Sequence, residues 1–428
     1  MAAVIVARNE KSFTVQVEIP YCKSMLAFED AIQTSLNLGG VSATAEALSR
    51  FDTDGSPILM GETKFTSKGK AAKVYQSAYG QVLLERYVYQ SSKGGRLFCP
   101  LERDARIVGT STPKFAKMLA HKYADMGSLR VLKDLGENHG RAVVRSFVQN
   151  VVELVGLVAI AKEETWSYML PDTDKAVKSI SIGLDGTCML LCDDGWRETM
   201  VGTLGYYDED GNRLHTTYAG AIPEYGKGNF LERLAAEIAR AKEKYPQARY
   251  IGLADGAHGN WEFLNEHTDT QIVDFWHAAG YLAKAAEAMF KGKVNAQAKV
   301  EWLDDARHRL KHTKGAASKL LKEMKDFSRD RNMSAEGRTQ LKDSITYFKN
   351  QLSRMQYPDY VEDKLPIGSG VTEAACKVIV KQRLCNSGMK WAKPGAAVVL
   401  SLRCLSYSEN RWAQFWGKID QYGLSLAA

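Results

Sequence analysis

The chain has 428 residues, 45% of them hydrophobic and 25% charged, the make-up of a globular protein with room for two or three domains and at least one large core. No apolar run reaches membrane-spanning length, and the opening MAAVIVARNE lacks the charged leader of a signal peptide, so a cytoplasmic protein is expected. The formal net charge of +7 is only mildly basic, but it is spread unevenly.

From Cys376 to Lys418 the chain carries Lys377, Lys381, Arg383, Lys390, Lys393, Arg403, Arg411 and Lys418 against one acid, Glu409. A second basic stretch runs from Lys64 to Lys122. Basic surfaces suit polyanions, nucleic acid being the common one, with ribosomal or membrane-surface attachment as the competing explanation. The cysteines (Cys22, Cys99, Cys188, Cys192, Cys376, Cys385 and Cys404) form no CxxC pair and no zinc spacing with histidine, which fits reduced intracellular thiols.

In chain order, Phe13, Val15, Val17 and Ile19 alternate as in a strand, and a helical stretch follows from Met25 to Leu48. Alternation returns around Tyr79-Gly80 and Gly94-Gly95, giving a small β module over about 64 to 110. Thr112-Pro113 opens a helical region. Within it, SLRVLKDLGENHGRAVVRSFVQNVVELVG reads as two helices joined by a turn at Gly136 to Asn138. That spacing suits a helix-turn-helix with Arg141 and Arg145 on the second helix facing DNA, although helix, glycine, helix is also common in all-α cores.

KSISIGLDGTCMLLC is apolar on both faces, as expected at the centre of a covered sheet. A second strand turns at Asp210-Gly211 into a third, and Asp208 and Asp210 are explained by that turn. GNFLERLAAEIARAKEKY is an amphipathic helix, RYIGLADG a fourth strand ending at Asp255, HGNWEFLNEH a helix, and TQIVDFWH a fifth strand ending in Asp274 and His277. Three consecutive strands, then helix, strand, helix, strand, is the order of a ribonuclease-H-like α/β fold. From His277 to about Met355 the pattern is helical and heavily charged, with a polar break near Asn332 and Ser334.

After Tyr357-Pro358 comes PIGSGVTEAACKVIVKQRLCNSGMKW, where Pro366, Gly368 and Gly370 break the chain and a new helix starts near Val371, capped by Ser369 or Thr372. Glu373 falls in its first turn, and Lys377, Lys381 and Arg383 continue along it as a basic stripe. An acidic first turn on a solvated cationic face would explain this stretch alone. Asp185 and Asp255, each in or at the end of an apolar strand, supply the other possibility. The three acids are separated by 70 and 118 residues, so only a fold brings them together. Three carboxylates converging at a sheet edge suit hard cations, Mg²⁺ or Mn²⁺, and two ions roughly 3.5–4 Å apart would serve phosphoryl transfer. The chain has neither a phosphate-cradling Walker loop nor a GxGxxG, and no nucleophile elbow. His258, Asp274 and His277 are candidates to brace the acids. Trp261, Trp276 and Trp391 are expected in the core or an interface rather than as base-stacking platforms.

SIGLDGT, LADGAHGNW, DFWHAAGYL and PIGSGVTEAACKVIVKQRLCNSGMKW resemble, in order and spacing, the catalytic motifs of DDE transposases of bacterial insertion sequences, in particular the ISKra-four group. The likeness extends upstream through VEIPYCKSML, RFDTDGSPI, YGQVLLERYVYQSSKGGRLFCPLE and ENHGR, covering nearly the whole chain. It implies a ribonuclease-H-like domain that uses Asp185, Asp255 and Glu373 with divalent metal, a helical insertion before the glutamate, and amino-terminal modules that recognise the element's ends. The DxxH of Asp274 and His277 is similar to one in Mutator-like transposases. The expected layout is an α/β module at 1–63, a β module at 64–111, a helix-turn-helix-like module at 112–168, catalytic parts at 169–277 and 363–428, and a helical insertion at 278–362. Lys377, Lys381, Arg383, Lys390, Arg141 and Arg145 are the expected DNA contacts. The partners expected are double-stranded transposon-end and target DNA and a second copy of the chain, as a homodimer or higher oligomer. A non-catalytic DNA-binding protein and a nuclease that cleaves without joining are the alternatives.

Overall fold

The computed structural model describes residues 3–163, 165–224, 227–290, 295–329 and 333–424, the His258 side chain excepted. The chain divides into two compact units, one of residues 1–168, 394–406 and 411 onward, the other of 169–393 and 407–410.

In the first unit a hairpin of β1 (Ala3–Arg8) and β2 (Phe13–Val17) precedes the long helix α1 (Met25–Ser49), whose Ser24 hydroxyl caps the amide of Ala27. An antiparallel sheet of β3 (Ile58–Met60), β4 (Thr63–Gln76) and β5 (Gln81–Ser91) follows. Helices α2 (Pro100–Asp104), α3 (Pro113–Asp125), α4 (Ser128–His139) and α5 (Arg145–Lys162) complete the run. The break between α4 and α5 lies at Gly140, not at Gly136 to Asn138. Gly140 takes the left-handed conformation that ends a helix (φ 58°), while Gly136 stays helical. Val398, Leu402 and Leu405 of α15 (Lys393–Tyr407) and Phe415, Trp416 and Ile419 of α16 (Arg411–Tyr422) join the core built on Phe115, Leu119, Val152 and Val155. The carboxy-terminal helices were expected in the catalytic part, but this apolar face assigns most of them to the first unit.

The second unit is built on a five-stranded sheet of β6 (Ser179–Leu191), β7 (Gly195–Tyr207), β8 (Arg213–Ala221), β9 (Arg249–Ala254) and β10 (Thr270–Val273), in the order β10-β9-β6-β7-β8. β6, β7 and β8 are antiparallel neighbours, whereas β9 runs parallel to β6 and β10 parallel to β9. β6 is central, and Ile180, Ile182 and Leu184 are buried. Connecting helices α6 (Gly228–Lys244) and α7 (His258–His267) pack on one face, against Gly202 of β7 and Gly252 of β9 respectively. Because successive strand side chains point to opposite faces, Gly183 and Asp185 look the other way from Leu184.

That other face receives α13 (Gly370–Ala375), which continues through a π-helical turn, Cys376–Lys381, into α14 (Gln382–Leu384). A Cβ on Gly183 would stand 2.0 Å from the Thr372 hydroxyl oxygen, so glycine lets the helix lie flush on the sheet. Thr372 then pairs hydroxyl to hydroxyl with Thr203 of β7 at 2.8 Å. Between β10 and α13 the described residues hold helices α8 (Phe275–Met289), α9 (Ala296–His312), α10 (Ala316–Phe327), α11 (Ala335–Gln351) and α12 (Tyr357–Glu362) and no strand. Their apolar faces share the sheet's core through Leu282, Leu310, Leu320, Leu341 and Phe348. The polar break expected near Asn332 and Ser334 falls between α10 and α11, where the Ser334 hydroxyl caps α11 by accepting from the Gly337 amide at 3.1 Å; Asn332 itself lies outside the described residues. Among them, no helix is long and apolar enough to cross a membrane.

Candidate active site

Asp185 sits halfway along the central strand, on the face that carries α13, and Glu373 and Cys376 stand in the helix laid over it. The Asp185 Oδ1 accepts from the amide of Gly186 at 2.7 Å, and the thiol of Cys376 points at Oδ2 at 3.7 Å. Burial pushes the Asp185 carboxyl above its ordinary value. The Gly186 amide partly offsets that, and the charges of Asp255 and Glu373 push the same way as burial. Cys376, buried against these acids, is pushed up to about 12 and stays a neutral thiol.

Glu373 is exposed at the cleft and held by one hydrogen bond, with an imidazole nearby. Ser369 Oγ donates to its Oε1 at 2.9 Å, and His277 Nε2 lies 3.8 Å from the same oxygen. Ser369 therefore does not cap the helix with its side chain, and Thr372 is spent on Thr203, so neither expected cap forms. Asp274 is completely buried and caps α8, accepting from the His277 amide at 2.6 Å and from the Ser369 amide. One carboxylate thus ties the start of α8 to the loop that delivers Glu373, and the Phe275 amide to the Ile367 carbonyl at 2.9 Å closes the joint.

Asp255 follows β9 in a tight turn. Its Oδ1 accepts from the Ala257 amide at 3.0 Å, and Gly256 takes φ 111°, a conformation that side chains resist. The turn is gripped from α11. Tyr347 Oη donates to the Asp255 carbonyl at 2.7 Å and Gln351 Nε2 to the Gly256 carbonyl at 3.1 Å. Tyr347 is itself stacked on Tyr281 of α8, ring centroids 3.9 Å apart and 15° from parallel. Nothing local in the sequence marks Tyr347 or Gln351 for this task, since they lie about ninety residues from the turn they hold. Ser369 and Cys376 were within reach of a sequence reading, because each stands one helical turn from Glu373.

Asp185, Glu373, Cys376, Lys377 and Lys381 line one open cleft of about 620 Å³, with Gly186, Thr187, Gln382, Cys385 and Asn386. Asp255 is not among its lining residues, although its charge is felt at Asp185. No Lys or Arg forms an ion pair with any of the three acids among the described residues. Hard oxygen donors whose charges oppose one another in a partly dry site fit a divalent cation by chemistry. The carboxylates as they stand are turned onto local donors, and among the described residues no three His, Cys, Asp or Glu side chains form a group that would hold a metal.

The other expected site residues separate. Lys377, Lys381 and Lys390 are exposed. Arg383 is 3% exposed with its guanidinium 5.1 Å from the Trp391 ring centroid, so it belongs to the interior and not to a phosphate-facing stripe. Arg141 is also buried. It donates to the Ser77 carbonyl at 3.2 Å and to Gln76 Oε1 at 2.9 Å over the Phe115 ring, and it is not available to DNA. Arg145 begins α5, exposed, with its Nε on the Ser128 hydroxyl at 2.9 Å. Arg403 and Arg411, counted with the basic segment, are buried too. The His258 side chain lies outside the described residues. Trp261 is core, as expected, under the guanidinium of Arg354 at 4.3 Å. Trp276 is not, being 69% exposed beside Asp274. Neither the family models nor the curated proteins compared with the chain give a match.

Proposed function

We propose that the chain is a DNA transposase of the DDE type, with a ribonuclease-H-like catalytic domain, that cuts and joins DNA at inverted-repeat ends. The observation that carries this reading is the shared cleft. Asp185 from a central strand and Glu373 from a later helix face one groove with Lys377 and Lys381, and the charge of Asp255 reaches Asp185. The strand order, with three antiparallel strands followed by two parallel ones, supports it, as does the motif resemblance.

Asp185, Asp255 and Glu373 would hold Mg²⁺ or Mn²⁺, two ions, whose chemistry is to activate the attacking oxygen and stabilise the leaving one. The chain's own residues do the rest. Lys377 and Lys381 draw a backbone phosphate into the groove, supplying affinity without reading sequence. Ser369, itself tied down by Asp274, fixes Glu373 at the rim, with His277 beside it. Tyr347 and Gln351 fix the Asp255 turn. Water is the nucleophile of the cut, and the freed 3′-hydroxyl that of the joining step. Two ends handled together call for at least two copies on DNA, which light scattering of the end complex measures.

The test is Glu373→Gln, with nicking and melting temperature measured on one sample in Mg²⁺ with end duplex. The expected result is normal folding, unchanged DNA affinity and loss of both cutting and joining. Near-parental nicking removes Glu373 from the site. Binding without cleavage by the parent indicates a DNA-binding protein, and cleavage without joined products a nuclease.

A further inference from the structure

Trp276 occupies the first turn of α8, between the Asp274 cap and His277, whose Nε2 is 3.8 Å from Glu373. Its indole takes little part in the core, with 69% of its surface exposed. It stands edge-on to the buried ring of Phe275, centroids 5.4 Å apart, and also meets the loop that carries Glu373. A Cβ on Gly368 would stand 3.4 Å from its Cδ1 and 3.5 Å from its Nε1. Gly368 does not have a positive φ, so its backbone does not demand glycine. The missing side chain instead leaves room at the edge of the indole. The next residue, Ser369, donates to Glu373, so one short loop joins the exposed ring to the rim of the cleft.

We infer that Trp276 is a stacking platform for a nucleobase swung out of the duplex next to the phosphate being cut. This rests on the DNA-processing reading of the cleft. In a stacked duplex the faces of each base are covered by its neighbours, and only edges reach the grooves. A flat indole at the rim therefore meets a π-face only where a base has left the stack. Lys377 and Lys381 hold the backbone electrostatically but offer no apolar surface, and Trp276 supplies it. The ligand class is a purine or pyrimidine ring of the DNA end, with ring stacking and not edge pairing as the recognition.

The experiment uses full-length parent, Trp276→Ala and Trp276→Phe with end duplexes carrying 2-aminopurine, or an abasic site, at each position flanking the cut. The expected pattern has three parts. In the parent, 2-aminopurine fluorescence changes on binding at one position only. Trp276→Ala slows nicking of intact duplex by roughly 5- to 150-fold, the range equivalent to one base–aromatic stack, while Trp276→Phe keeps most of the rate. An abasic site at that same position removes the difference between parent and Trp276→Ala, because no base is left to unstack. Equal melting temperatures exclude a folding defect. If the parent nicks and Trp276→Ala matches it, or if the deficit is the same wherever the abasic site is placed, the platform is wrong. If the parent nicks no end duplex, the transposase reading fails and the platform with it.

Discussion

Tyr347→Phe isolates the grip of the helical segment on the Asp255 turn. The substitution removes one oxygen and leaves the ring, so the 3.9 Å stack on Tyr281 survives and the effect reports the hydroxyl alone. That hydroxyl donates to the Asp255 carbonyl at 2.7 Å, and burial, with the nearby Asp255 charge, pushes its pKa up from the ordinary value, so it is a neutral donor throughout the working pH range. Losing such a bond costs about 1 kcal/mol. In a unit of this size that lowers the melting temperature by roughly 2–4 °C. The effect on turnover should be larger than the effect on stability. A catalytic group displaced by about 1 Å loses on the order of 10² in rate, and one of two donors to the turn remains in Gln351, so nicking should fall roughly 10- to 100-fold. DNA affinity should not change, because the basic residues are untouched. Steady-state nicking against DNA concentration separates the two quantities. A variant that melts 2–4 °C lower yet nicks within twofold of the parent would show that the contact only packs the helix, and the positioning argument would be refuted.

Two further outcomes follow from the site's charges. For Asp185 the folded state favours the neutral carboxyl, so its contribution to stability is complete below the ordinary value of 3.8 and is lost as pH rises through the raised folded value. Asp185→Asn in chelator should therefore resist urea better than the parent at pH 7, with the gain vanishing near pH 4. Added Mg²⁺ should stabilise the parent alone, and a variant weaker at pH 7 would contradict the assignment. Lys381→Ala should lower the salt slope of DNA binding by about one unit, while Arg383→Ala, buried on Trp391, should lose stability and leave the slope alone. Equal slopes for the parent and Lys381→Ala would make the exposed lysine a solvated face.

The parts legible in the sequence are those where local pattern and burial coincide. β6 reads as a covered central strand because Ile180, Ile182 and Leu184 alternate with glycine and serine that are also buried, which leaves no polar face. The three acids stand out because each interrupts an apolar element. The helix-turn-helix pattern puts the break at the wrong glycine, because a glycine in a helical pattern ends the helix only where its backbone turns left-handed. Gly140, at φ 58°, ends α4, and Gly136 does not. The basic segment misled in another way. A count of Lys and Arg treats all as surface, whereas Arg383, Arg403 and Arg411 use their long planar groups inside the fold. Arg403, for example, donates to the Ala124 carbonyl and to Asp125, each at 2.7 Å. Lysine has no comparable planar fork, and Lys377, Lys381 and Lys390 remained outside.

What no local pattern carries is the way the acids are held. Asp274 ends a strand, caps a helix and accepts from the amide of Ser369, 95 residues on, and the Ser369 hydroxyl then reaches Glu373. Asp255 is fixed from α11 and Glu373 from the start of α8, and those two helices are joined by the Tyr281–Tyr347 stack and by the Ser344 hydroxyl on the Tyr281 carbonyl at 3.0 Å. A shift of α11 against α8 therefore acts on both acids, while Asp185, on the central strand, stays in place. The helical segment is thus mechanically part of the site even though none of its described residues from 278 to 360 lines the cleft. Substitutions at the α8–α11 contact should change turnover before they change DNA affinity, because they move Asp255 and Glu373 relative to Asp185 and leave Lys377 and Lys381 where they are.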